Sequence, residues 1–272
     1  MFYKKFTPPK HLQPYVECFY VWEVEAHQPF FVESPPSAFG SMVFNYGAPY
    51  SVQNTKYNLN VVPQSFIAGQ ATRSYKLNLS GKIGMVGIVF RPTAMSTLFN
   101  LPIAELTDER IGMNDILKGS EIKDLQDKIV EAANNQERIS LLMQFITIRL
   151  MKNESRFDRI DFVANKIVDA KGIINVGDFS NDLFMCRRQF ERKFFQKVGL
   201  SPKYYGRIRR LGYLCSLIAG KRQVNWKNIF FDCGYYDQAH FIKDFSEFLD
   251  RTPTEYIQNN IELSHFLKNA EY

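Results

Sequence analysis

The sequence predicts an α+β protein in which a small, β-barrel-like N-terminal domain with trailing helices precedes an all-helical C-terminal domain. Two observations support this fold class. Aromatic and β-branched residues between turn signals fill the stretch from Tyr15 to Arg91, which is typical of short strands. After Pro92 the apolar residues recur at helical spacing. The 272 residues suffice for two domains, and the 45% hydrophobic content argues against a disordered or fibrous chain.

Membrane-spanning and disulfide-rich classes are disfavoured by the same sequence. No apolar run approaches the roughly 18 residues that a membrane helix needs, and Met1 is not followed by the apolar core of a signal peptide. We therefore expect a cytoplasmic protein with no membrane partner. The four cysteines form no Cys-x-x-Cys pair, so the sequence indicates neither a disulfide framework nor a zinc knuckle.

Three N-terminal stretches are predicted to be strands of an antiparallel sheet or barrel: Cys18 to Val24, Ala38 to Phe44 and Ile83 to Phe90. Turn-forming residues punctuate this region at 35–36, 45–49 and 78–82. A cluster of three glycines (Gly81, Gly84 and Gly87) lacks the strand, loop and helix context of a phosphate-binding loop. We interpret them as hairpin glycines.

Helices are predicted after Pro92, which suits a first helical position, and a longer one runs from Glu137 to Met151. The apolar residues of the longer helix cover more than one stripe. Its face must therefore be covered either by its own domain or by a second copy of the chain. The polar stretch 152–156 then interrupts the periodicity and is the best linker candidate.

From residue 157 onward the chain is predicted to be helical, and the same two-helix unit occurs twice. In the first unit, Asn175 with Asp178 caps a short helix, and a second helix runs from Arg187 to Val198. Two short helices joined by a turn form a helix-turn-helix. Phe190 and Phe194 face inward, which leaves four side chains near the exposed N-terminal half: Arg187, Arg188, Glu191 and Arg192.

In the second unit, Asp237 is predicted to cap a helix whose buried seam contains Phe241 and Phe245. Four residues project away from that seam near the helix start: Gln238, Ala239, His240 and Lys243. A linking helix that begins at Ser201 joins the two units. The stretch from Thr252 to Tyr256 is a capping box that opens a last short helix.

Positive charge is concentrated in this region. Twelve basic residues and one acidic residue lie between Arg187 and Lys227, a net +11, whereas the whole chain carries +6, so the remainder carries −5. Such a field favours a polyanion such as a nucleic-acid backbone over a face that is merely solvated. Arginine matches the O6 and N7 atoms of guanine, and glutamine matches adenine.

The exposed residues of the two units are therefore candidates for base contacts in the major groove of double-stranded DNA. The linking helix adds three candidates for phosphate contacts: Lys203, Arg207 and Arg210. Internal ion pairs are an equally good interpretation of the arginines of this helix, and the sequence leaves both open.

The stretch from Phe157 to Gln258 resembles the AraC/XylS family of bacterial transcription regulators. Residues 234–245 and 252–256 look like the second helix-turn-helix of the family and its closing signature. Residues 188–195 and 199–202 look like the first recognition helix and the start of the linking helix. The departures from the family pattern are Phe184 and Cys186 in the first turn, where glycine and a serine cap are common, and Phe230 and Ala239 in the second unit.

The resemblance implies a sequence-specific DNA-binding transcriptional regulator without catalytic activity. It implies that helices 187–198 and 238–249 lie in successive major grooves, about 34 Å apart. RNA polymerase is a partner implied by the family alone, and no cofactor is implied.

The N-terminal part is similar to sensor domains of this family, through residues 87–92 at the end of the strand-rich region. We expect residues 1–151 to bind an unidentified small-molecule effector or to form a homodimer, 152–156 to be a linker, 157–260 to form the DNA-binding domain and 261–272 to be a tail. Only His11 and His27 are available in the sheet for a metal, so we expect none.

Two other functions stay open at this point. The N-terminal domain could be a small-molecule enzyme fused to the DNA-binding domain, with Trp22 and the strand tyrosines and phenylalanines lining a pocket, although core packing explains these residues better. The chain could also package DNA without sequence preference, for which duplicated groove-reading helices would be superfluous.

Overall fold

An eight-stranded antiparallel sheet forms the N-terminal part of the chain in a computed structural model of the protein. The structure describes residues 1–117, 119–152, 157–174, 179, 185–221 and 223–258. Four expectations concern residues outside these ranges: the cap formed by Asn175 and Asp178, the turn residue Phe184, linker residues 153–156 and the tail 261–272.

The strands run in the order β1-β2-β7-β3-β6-β8, with β4 and β5 attached beside β7. Their bounds are β1 Phe2–Phe6, β2 Val16–Ser34, β3 Ser41–Asn45, β4 Ser51–Gln53, β5 Asn60–Val61, β6 Ser65–Ala68, β7 Tyr75–Phe90 and β8 Arg110–Gly112. Within the described residues the two edge strands β1 and β8 do not pair with each other. The predicted antiparallel sheet domain with trailing helices is confirmed, and its sheet is open rather than closed into a barrel.

Strand β7 continues through residues 78–82, where a turn was predicted, so that prediction is wrong. Asn78 pairs with Phe31 of β2 on one side and with Ser51 of β4 on the other, and these ladders override the local turn residues. The glycines are strand residues and not hairpin residues. Gly87 lies beneath the ring of Tyr20, where an added Cβ would come within 2.5 Å of the ring.

Alternate residues of a strand point to opposite sides of the sheet. An apolar cluster lies on each of the two sides here. On β2, Phe19 and Val21 belong to the core that packs against the N-terminal helices, whereas Trp22 belongs to a second apolar cluster on the other face. The helices are α1 Ala94–Phe99, α2 Ile103–Leu106, α3 Met113–Ile116, α4 Glu121–Glu131 and α5 Asn135–Lys152. Thr93 rather than Pro92 precedes the first turn of α1, and Lys152 ends α5 rather than starting a linker.

The C-terminal helices are α6 Arg159–Asp169, α7 Arg187–Val198, α8 Pro202–Ile218, α9 Trp226–Asp232, α10 Gln238–Leu249 and α11 Pro253–Gln258. One apolar cluster joins them, and its fully buried members include Phe194, Tyr205 and Phe245. The helical interpretation of this region is confirmed, and α7 has the bounds that the sequence predicts.

The sheet and the helical part are in direct contact. Ala38, which follows β2, is fully buried in the C-terminal cluster. Arg91 pairs with Asp169 of α6 at 2.6 Å. At the end of α7, Gly199 approaches the backbone of Ile103 and Ala104 so closely that an added Cβ would come within 2.9 Å. The C-terminal end of α7 therefore packs against α2, one of the helices that trail the sheet.

Candidate nucleic-acid interface

Helix α7 presents a cationic face to solvent. Phe190 and Phe194 are buried on its inner side, with ring centroids 5.8 Å apart. The four predicted candidates Arg187, Arg188, Glu191 and Arg192 are all exposed. Helical spacing explains this arrangement, because positions one and two residues from a buried phenylalanine lie on other faces.

The start of α7 is weakly held. Cys186 has the extended backbone of an N-cap residue (φ −68°, ψ 154°), but its side chain makes no capping hydrogen bond. A thiol is a poor acceptor, so the departure from serine at Cys186 weakens the cap. The salt bridge from Arg187 to Glu191, 2.9 Å long, lies in the first turn, and Arg187 keeps 82% of its side chain exposed.

Salt bridges hold the C-terminal end of α7. Lys197 lies 2.9 Å from Asp158 and 2.9 Å from Asp161 at the N-terminus of α6. Burial lowers the pKa of Lys197, but the hydrogen bonds and charges of the two aspartates outweigh it, so the pKa is raised overall. The C-terminal end of α7 is thereby fixed to the start of α6.

Helix α10 has a strong cap. The Asp237 carboxylate accepts a hydrogen bond of 2.7 Å from the backbone N–H of His240. Gln238, Ala239 and Lys243 are exposed, as predicted, while Phe241 and Phe245 are buried with centroids 5.5 Å apart.

His240 is placed differently from the other three candidates on α10. Its ring packs edge-on to Tyr235 with centroids 5.3 Å apart, and its Nε2 lies 3.4 Å from Arg210. The side chain is 41% exposed. From the sequence, packing or a phosphate contact is expected of His240 in preference to base readout, and the structure agrees with packing, since the ring lies against Tyr235 and near Arg210 of α8.

The side chain of Asp244, only 1% exposed, ties α10 to the linking helix α8. It lies 2.7 Å from Arg207 and 3.0 Å from Arg210. Glu247 also pairs with Arg207. Burial opposes the charge on Arg207, but the two carboxylates raise its pKa above the ordinary value.

Of the two interpretations of Arg207 and Arg210, the geometry therefore favours internal ion pairs. Lys203 on the same helix remains exposed. The local sequence gives no signal that Asp244 pairs with Arg207 and Arg210, because these arginines lie on a helix some 35 residues away in the chain.

Helices α7, α8 and α10 all border one cleft, whose volume is about 820 Å³. Its charged lining comes from Arg187 and Glu191 of α7, Lys203, Arg207 and Arg210 of α8, and Lys243, Asp244 and Glu247 of α10. Both predicted recognition helices thus border one concave surface, on which five basic residues face three acidic ones.

The described residues contain no group of three or more histidine, cysteine, aspartate or glutamate side chains that could hold a metal ion. Among the same residues, no helix combines the length and the apolar character needed to cross a membrane.

Two family models match the chain. Residues 179–259 match a helix-turn-helix domain, and residues 4–112 match a domain of unknown function, DUF6597. No curated protein matches the chain.

Several solved structures are similar over most of their length. ToxT from Vibrio cholerae is 14% identical, with 95% of this chain and 98% of that chain covered and a TM-score of 0.44. ToxT from Vibrio cholerae strain SCE256 bound to an unsaturated fatty acid is 14% identical, with coverage of 93% and 96% and a TM-score of 0.45. The AraC-like transcriptional activator CuxR is 12% identical, with coverage of 78% and 94% and a TM-score of 0.29. TM-scores below 0.5 do not establish a shared fold.

Proposed function

Because the chain belongs to the AraC/XylS family of transcription regulators by its C-terminal helix-turn-helix domain, we propose that it recognises specific DNA sequences with α7 and α10 in successive major grooves. The observation that supports this proposal is the cleft that both helices border. The exposed cations of α7 provide the attraction to phosphates, and the exposed polar residues of both helices can reach base edges.

Individual residues have distinct roles in this proposal. Arg188 and Arg192 are exposed on α7 and suit guanine, whose two acceptors match the guanidinium. Gln238 suits adenine, and Lys243 suits guanine or a phosphate. His240, turned toward α8, supports the helix or contacts a phosphate rather than a base.

Mapping of bound sites across the genome will identify the operator. Binding of wild type, Arg188→Ala and Lys243→Ala is then compared on operator and random duplex by fluorescence anisotropy. We expect each variant to lose about 1–3 kcal/mol on the operator and less on random duplex, because base contacts are specific. Lys76→Ala, an exposed lysine on β7, is the control and should bind both duplexes like wild type.

Equal losses on both duplexes would contradict base reading by Arg188 and Lys243. Wild-type binding that is salt-dependent but shows no preference among sequences would instead support DNA packaging. No observation in the described residues supports the alternative raised from the sequence, in which the N-terminal domain is an enzyme.

We propose that the N-terminal domain controls DNA binding by binding an effector or by forming a homodimer. RNA polymerase is a further proposed partner. A dimer would use the outer face of α5, where Ile148 and Met151 are exposed, Met151 by 80%. Sedimentation equilibrium of the full chain tests this. A monomer at micromolar concentrations, with or without operator DNA, would contradict the dimer and leave DNA reading untouched.

A further inference from the structure

The imidazole of His240 lines the cleft that both recognition helices border. On one side its ring packs edge-on against the buried ring of Tyr235, with centroids 5.3 Å apart. The side chain nevertheless keeps 41% of its surface exposed. The ring is therefore held by the protein and is still accessible to a molecule that enters the cleft.

The contact with Arg210 of α8 fixes the protonation state of this ring. Nη2 of Arg210 lies 3.0 Å from Oδ2 of Asp244 and 3.4 Å from Nε2 of His240. This nitrogen carries two hydrogens, which is enough for both acceptors. A guanidinium only donates, so Nε2 of His240 must accept, and an imidazole that accepts there is neutral, with its hydrogen on Nδ1.

A protonated ring does not fit this arrangement. Both nitrogens of an imidazolium are donors, so Nε2 would face a donor of like charge 3.4 Å away. Oδ2 of Asp244 lies 3.9 Å from Nε2, but its side chain is only 1% exposed and already pairs with Arg207 and Arg210. Among the described residues, no second carboxylate lies within ion-pair distance of His240. The charged form therefore needs an anion from outside the protein.

The charges around the ring have the sign that selects such an anion. The lining of the cleft contains five basic and three acidic side chains: Arg187 and Glu191 of α7, Lys203, Arg207 and Arg210 of α8, and Lys243, Asp244 and Glu247 of α10. Their sum is +2, and it is still +1 when Asp237, which caps the backbone N–H of His240, is counted. A further positive charge is disfavoured there until a phosphate enters, because opposite charges attract.

We propose that His240 takes up a proton from solvent when the protein binds DNA, and that its imidazolium then contacts a backbone phosphate at the cleft. In this step Nε2 stops accepting from Arg210, binds the proton and donates to a phosphate oxygen. Arg210 keeps Asp244 as its partner. The inference rests on the proposed function and adds a regulation to it, since histidine changes its charge between about pH 5 and 8.

Proton uptake fixes the sign of the pH dependence. The complex holds up to one proton more than free protein and free DNA together. DNA affinity therefore rises as the pH falls, by at most about tenfold for each pH unit. The same linkage requires that DNA favour the protonated ring as much as protonation favours DNA binding.

Anisotropy titrations of operator and random duplex between pH 6 and pH 8 test the proposal. The ionic strength is held constant, because the other phosphate contacts depend on salt. For the wild type we expect the affinity to rise by about three- to tenfold from pH 8 to pH 6. The rise should appear on both duplexes, since phosphates carry no sequence information.

Two histidine variants locate the proton. In His240→Gln the amide oxygen can accept from Arg210 at every pH, but the side chain does not titrate. We expect this variant to bind like the wild type at pH 8 and to lose the rise toward pH 6. His27→Gln, at an exposed histidine of β2, is the matched control and should keep the rise.

NMR of the histidine rings gives a second readout. The chain contains four histidines, and the signal that disappears in His240→Gln identifies His240 in protein labelled at the ring carbons. At pH 7, addition of random duplex should shift this signal toward the imidazolium position. The signal of His27 should stay in place.

The proposal is overturned if the wild-type affinity is unchanged or falls from pH 8 to pH 6, or if His240→Gln keeps the wild-type rise. A rise on the operator alone would also overturn it, because a phosphate contact is present on every duplex. Operator preference without a pH dependence leaves the proposed function standing. A rise on random duplex without operator preference would support this contact and contradict sequence-specific reading.

Discussion

The two helices that border the cleft are built differently. Helix α7 contains five basic residues and one acidic residue, a net +4, whereas α10 contains one basic and two acidic residues, a net −1. The cap of α7 is a cysteine without a capping bond, while α10 begins at an aspartate that caps it. The cleft is therefore bordered by α7, which is strongly charged and lacks a capping hydrogen bond, and by α10, which is nearly neutral and has one.

This difference implies a division of labour in the proposed complex. Charge on α7 attracts any duplex, because the phosphate backbone dominates affinity and carries no sequence information. Helix α10 adds little attraction, since its net charge is −1. Its contribution is selectivity, through exposed side chains on a rigid support.

The largest expected effect is on the anchoring of α10. Asp244→Asn removes the buried negative charge that faces two arginines, and the free energy of unfolding should fall by about 3 kcal/mol. Urea unfolding followed by circular dichroism measures this. Asp250→Asn is the matched control, because Asp250 is exposed and pairs with Arg73 at the surface. It should change stability by less than about 1 kcal/mol. Similar losses in both variants would show that burial of Asp244 is unimportant.

The next effect separates attraction from selectivity. Lys193→Gln, at an exposed lysine of α7 that is not a base-contact candidate, should lower the slope of log K against log salt by up to about 0.9, the value for one phosphate neutralised. Gln238→Ala should leave that slope unchanged and cost about 1–3 kcal/mol on the operator alone. Anisotropy titrations at several salt concentrations measure both. A change of slope in Gln238→Ala, or operator-selective loss with an unchanged slope in Lys193→Gln, would reverse the assigned roles.

The sequence predicted these helices well because their signals are local. Ser201 caps α8 through a hydrogen bond from Tyr204, and the predicted box at Thr252 and Glu255 is present. Spacing alone identified Phe190 and Phe194 as buried. The helix-turn-helix family model confirms the motif resemblance in the same region.

The missed features all depend on partners that are distant in the chain. Residues 78–82 look like a turn locally, yet ladders to β2 and β4 hold them in one strand. The guanidinium of Arg209 lies over the ring of Phe39, which is 170 residues earlier in the chain, and no local pattern predicts such a contact.

A smaller effect compares the two caps directly. Asp237→Ala should destabilise the protein by about 1 kcal/mol, since it removes the acceptor for the N–H of His240. Cys186→Ser should stabilise it by about 0.5–1 kcal/mol, because the backbone is already extended there and lacks only an acceptor. Thermal and urea unfolding measure both. If Cys186→Ser gives no gain, the start of α7 is limited by something other than its cap.

The smallest effect concerns pH and the far end of α7. Burial raises the pKa of Asp158, but hydrogen bonds from Lys197 and from the backbone of α6 outweigh it and leave the pKa below its ordinary value. A lowered folded pKa stabilises the fold above about pH 4, and this contribution disappears as the pH falls through the folded value. Because Asp158 is half exposed, it amounts to about 0.5 kcal/mol or less. Asp158→Asn keeps the cap and removes the charge, so its stability should lie slightly below wild type at pH 7 and converge with it near pH 2. A gap that persists at pH 2 would assign the difference to packing instead of charge.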